Sequence, residues 1–76
     1  MWRMKSDTGR QMLASGMWAQ VGRKHYRLAG EIDVRYDCTR WLWMVDDGQG
    51  YGFDRLWVAR DWAEKALTAR MSQGVR

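Results

Sequence analysis

The chain has 76 residues, a net charge of +4 and no proline, which bounds it to one small domain, because so short a chain buries only about 60% of its unfolded surface. Its six tryptophans can supply core area that the length withholds, since each indole buries about 150–250 Å². The single Cys38 excludes an internal disulfide, and no metal-ligand cluster, cofactor motif or apolar run long enough for a membrane span is present.

Residues 1–16 read as an N-terminal tail or a short helix. Thr8 to Ser15 can form that helix, with Gly16 as its stop, although Gly9 opposes it. Trp2, Arg3 and Lys5 precede it without the apolar core of a leader peptide, so the expected compartment is the reducing cytoplasm. Arg3, Lys5 and Arg10 face only Asp7 here, whereas residues 17–75 carry nine basic and eight acidic side chains. The positive excess therefore lies mostly in the tails. A basic tail attracts phosphate without specificity.

A single domain is expected over residues 17–73, with Trp18 to Val21 and the region of Tyr26 and Leu28 as candidate early strands. The clearest signal follows. Ile32, Val34 and Tyr36 alternate with Glu31, Asp33 and Arg35, the period-two pattern of a half-buried strand. A second apolar run, Trp41 to Val45, comes after Asp37-Cys38-Thr39-Arg40. With those four residues as a loop, Tyr36 faces Trp41, Val34 faces Trp43 and Ile32 faces Val45, and all six share one side. Trp41 and Trp43 are then expected inside.

Asp46-Asp47-Gly48-Gln49-Gly50 is the next turn, with Gly48 suited to a positive φ. A three- or five-residue loop sets Tyr51 and Phe53 on the face of the tryptophans. From Asp54 the period becomes helical. Leu56, Ala59, Ala63, Ala66, Leu67 and Met71 form one stripe, whose small alanines allow close approach to a sheet rich in indoles. The expected fold is α+β, a three- or four-stranded antiparallel meander with one C-terminal helix packed on one face.

Trp41-Leu42-Trp43-Met44-Val45-Asp46-Asp47-Gly48, followed by Gly52-Phe53-Asp54-Arg55-Leu56, Ala59 and Trp62-Ala63-Glu64, resembles the small β-meander-plus-helix proteins encoded by bacteriophages and prophages. The resemblance covers about residues 25–70 and consists of packing chemistry. It implies an uncharacterised accessory protein in the cytoplasm of a bacterial host. Arg55 stands where that pattern has a capping Ser or Thr, and Trp57-Val58 where it has acidic residues.

His25 and Cys38, each the only residue of its type, form a catalytic pair only if folding brings them within hydrogen-bond reach of each other and of a third group. A surface imidazole and a loop thiol explain them more simply. Asp46 and Asp47 lack the alternating spacing and distal Glu of a calcium loop. Gly48-x-Gly50-x-Gly52 has Phe53 at a mismatched place for a phosphate loop, with no Gly-Lys-Ser/Thr. No enzyme and no cofactor are expected.

Two binding readings follow. Leu42 and Met44 fall on the outer sheet face, and Trp57 adds an apolar side chain at the helix start. Together they suggest a contact with a host or phage protein, or with a second copy in a homodimer. The N-terminal segment, with Trp2, Met12, Leu13, Met17 and Trp18, provides an alternative intramolecular cover for that face. The rival is a nucleic-acid edge built from Arg23, Lys24 and Arg27 around Tyr26. A major-groove reader of the integrase type fits less well, since Glu31 and Asp33 share the face that would meet phosphate.

Overall fold

The computed structural model describes residues 8–48 and 50–74. Within them the chain forms helix α1 (Thr8–Ala14), strands β1 (Trp18–Gly22), β2 (His25–Leu28), β3 (Ile32–Asp37), β4 (Leu42–Asp46) and β5 (Tyr51–Phe53), and helix α2 (Leu56–Gly74). The strands form one antiparallel sheet in the order β1-β2-β3-β4-β5. The architecture is thus α+β, but with five strands rather than three or four. The two candidate early segments, Trp18 to Val21 and the region of Tyr26 and Leu28, both form strands, β1 and β2.

α1 ends through the amide of Ser15, which donates to Gln11 O at 3.1 Å, and through Gly16 at φ +82°. Only a residue without Cβ takes that conformation freely. Gly9 is tolerated for a packing reason: a Cβ there would lie 2.5 Å from the Tyr26 hydroxyl oxygen. The helix needs this glycine to sit down on β2.

The apolar face of the sheet carries Trp18, Leu28, Ile32, Val34 and Val45, all buried. Tyr26, Trp43 and Phe53 pack at its margin. Ala59, Ala63 and Leu67 of α2 and Met12 of α1 close over it. Both helices therefore cover the same face. The alanines let α2 approach closely, and the flanking Trp62 meets Tyr51 edge-on at 5.0 Å and Phe53 at 5.7 Å between ring centroids. Met71, expected on the stripe, is 63% exposed.

The β3–β4 register differs from expectation by two residues. Tyr36 pairs with Trp43, Val34 with Val45 and Asp37 with Leu42. A two-residue slip keeps every side chain on its own face, so the inward placement of Trp43 survives. Trp41 does not stay inside. It lies in the loop at φ +60° and is 74% exposed. The cause is Asp37, whose carboxylate accepts the Thr39 amide at 3.0 Å while its carbonyl accepts the Trp41 amide at 2.8 Å. That closes a loop over residues 38–41 instead of 37–40.

The following loop spans five residues between Val45 and Tyr51, which are direct partners. Gly48 has φ +99°. Glu31, expected within the strand, sits in the β2–β3 turn, where Arg70 reaches it at 3.3 Å.

Candidate functional site

An antiparallel meander puts alternate turns at opposite ends of the sheet. The β1–β2 and β3–β4 turns lie at one end, the β2–β3 and β4–β5 turns at the other. The two ends differ in charge. Arg23, Lys24 and Arg40 gather at the first against Asp37, while Glu31, Asp46 and Asp47 gather at the second.

The acidic end is tied to α2. The Trp62 indole donates to Asp47 Oδ2 at 3.1 Å, and Arg70 donates to the Asp47 carbonyl at 3.1 Å as well as to Glu31 Oε1 at 3.3 Å. These contacts fasten both turns to α2. Glu31 and Asp47 therefore have intramolecular roles.

The basic end is open. Lys24, itself in the left-handed region at φ +54°, holds its ammonium 4.9 Å from the Tyr36 ring centroid. Its carbonyl accepts the Tyr36 amide at 3.0 Å, which binds the two turns side by side. Arg40 reaches Asp37 only at 3.8 Å, a loose and exposed pair of small energetic weight. Beside it stands Trp41. An indole held in solvent on a left-handed backbone is an unusual expenditure of apolar surface. Cys38, exposed in the same loop, adds a free thiol.

The outer sheet face joins this end through Leu42 and Met44, which are half-buried. Both lean over Gly52, where a Cβ would lie 2.9 Å from Met44 Sδ and 3.1 Å from Leu42 Cδ1. Part of their apolar surface is thus already covered. Trp57 is half-buried in the first turn of α2, the helix whose Ala59, Ala63 and Leu67 cover the apolar face. α1 does not cover Leu42 and Met44, because it packs with α2 on the apolar face.

Arg27 also leaves the expected basic edge. Its guanidinium donates to both Asp33 oxygens, at 2.7 and 3.4 Å. The hydrogen bond from Arg27 holds the Asp33 carboxyl below the usual range, with a smaller contribution from His25, whose Nε2 lies 3.4 Å from Oδ2. The Arg27 guanidinium is correspondingly pushed up, chiefly by the same hydrogen bond. Arg27 and Asp33 therefore neutralise one another at the centre of the outer face. Arg23 and Lys24 remain together in their turn.

His25 pairs with Arg35 across the strands, and Cys38 lies three residues beyond Arg35, or about 10 Å of extended chain. The two are not brought into a dyad. Among the described residues, no group of three His, Cys, Asp or Glu side chains could hold a metal ion, and no helix is long and apolar enough to cross a membrane. The surface depression lined by Asp61, Glu64, Lys65 and Thr68 on α2 opens broadly to solvent.

Trp41 was the residue that reading by periodicity missed. Asp37 followed by Thr39 is the pattern of an Asx turn, and that was the signal available for moving Trp41 from strand to loop. No family model, curated protein or solved structure matches this chain.

Proposed function

We propose that the chain is a non-enzymatic accessory protein, of the small phage or prophage kind that its sequence resembles, acting by contact with another protein. The observation that carries this reading is the 74% exposure of Trp41 at the end of a hydrogen-bonded loop, just before β4. Tryptophan and arginine dominate the binding energy of protein interfaces, and Arg40 lies beside it. Leu42 and Met44 continue the apolar surface along the outer face.

The test is affinity capture from a bacterial lysate with the wild-type chain, a Trp41→Gly variant and a Leu42→Asp/Met44→Lys variant. A partner held by wild type and lost from both supports the reading. Retention of every partner by both variants removes it.

A second reading is favoured by one observation: Arg23, Lys24 and Arg40 share the end of the sheet with Trp41. Cations tracking a backbone beside an exposed ring suit single-stranded nucleic acid. A labelled oligonucleotide titrated across a salt series separates the two. Binding that weakens steeply with salt and disappears in Trp41→Gly supports nucleic acid; no binding at low salt dismisses it.

A further inference from the structure

The outer edge of β1 offers a second interaction surface, independent of the Trp41 end. In a chain with 29% charged residues, residues 11–22 contain no charge at all, the longest such run in the sequence. Folding turns Met12 and Trp18 from this run into the core. It leaves Leu13, Met17 and Val21 exposed at 39%, 49% and 43%. Four of the five β1 residues are exposed.

The direction of the backbone groups follows from the ladder. The Ala29 amide donates to Met17 O at 2.8 Å, and Ala19 pairs with Arg27. Residues 17 and 19 therefore aim their polar backbone groups at β2. By alternation, those of Trp18 and Gln20 aim away from it. Among the described residues no strand pairs with them. Exposed edges usually carry charge or proline that discourages pairing; β1 has neither. Its one irregularity, the register shift between Gln20 and Gly22, leaves Met17 to Gln20 regular.

We infer that β1 pairs antiparallel with β1 of a second copy, with a twofold axis at Ala19. The uncharged strip selects this occupant. Two copies of a chain carrying +4 approach most easily where neither presents charge. In this register Trp18 lies opposite Gln20 of the other copy, so their outward amides and carbonyls form four hydrogen bonds. Met17 lies opposite Val21 of the other copy. Centring the axis on Gln20 instead would set Met17 against Arg23. The sheet becomes ten-stranded and continuous. A five-residue strand pair is small beside the roughly 1,200–2,000 Å² of a stable interface, so the dimer forms reversibly as concentration rises.

Sedimentation equilibrium over a wide concentration range tests this with the full chain, together with Ala19→Lys and Gln20→Pro. The lysine places like charges face to face at the axis. The proline removes an outward amide while leaving the β2 ladder intact. Wild type is expected to approach twice its monomer mass, and both variants to remain monomeric with an unchanged circular dichroism spectrum. Amide exchange in the wild type gives a readout independent of variant folding: the Trp18 and Gln20 amides gain protection as concentration rises. A wild-type mass that stays monomeric up to the solubility limit overturns the dimer. So does a dimer that survives both substitutions, or one in which those amides stay unprotected. Trp41→Gly should dimerise as wild type does, keeping this result separate from the partner contact.

Discussion

The Trp18 indole donates to Glu64 Oε2 at 2.9 Å across 46 residues of chain. This bond joins the first strand to the middle of the last helix, while the rest of the ring is buried at 4% exposure. Phenylalanine at position 18 keeps most of the packing and loses the hydrogen bond. The expected loss is about 1 kcal/mol, against ~3–5 kcal/mol for alanine. Urea denaturation of the two variants measures the difference.

Gly9→Ala is expected to destabilise by about 1–3 kcal/mol, against the ordinary helix preference for alanine. The rigid Tyr26 ring occupies the space. A thermal melt shows the sign, and Gly9→Ala combined with Tyr26→Phe should recover part of the loss, because the nearest atom is the hydroxyl oxygen.

Trp41→Gly is expected to leave stability within about 1 kcal/mol of wild type or to raise it, because glycine relieves the positive φ and little burial is lost. Chemical denaturation checks this. The same substitution should shift the intrinsic fluorescence maximum to shorter wavelength, since the most exposed indole among the described residues is removed.

Asp33→Asn should lower the melting temperature at neutral pH by a few degrees. The Asp33 carboxyl is held below its unfolded value of 3.8, so its stabilising effect is fully present above that value. It fades as pH falls through the lower folded value. Melting curves of wild type and variant should therefore converge on acidification.

Arg70→Ala is expected to cost less than about 1 kcal/mol globally, since the arginine is exposed. Its local effect should be larger. Amide exchange at Glu31 and Gly50 should quicken, because one guanidinium fastens both turns at that end.

Much of this fold was legible because strand facing repeats every two residues. Ile32, Val34 and Tyr36 declared their side without knowledge of the partner, and a two-residue error in pairing Trp43 left that side unchanged. The helical stripe was legible for a similar reason, with Ala59 and Ala63 marking close approach. Trp41 was not, since hydrophobicity favoured the strand while a single Asp37 side chain decided the loop. Arg27 looked like a free cation because nothing local reveals that Asp33 stands opposite it. Residues 1–7, with Trp2, Arg3 and Lys5, and the terminal Arg76 lie outside the described residues.

Every strand in the sheet pairs with its neighbour in sequence. Such a topology needs only short loops to close before each contact forms, which favours rapid assembly for an all-antiparallel sheet. The tie between Trp18 and Glu64 differs, since it spans 46 residues and requires β1 and α2 both to be in place. Breaking it is expected to accelerate unfolding while the refolding rate stays nearly constant, so the lifetime of the native state, more than its speed of formation, rests on that one indole.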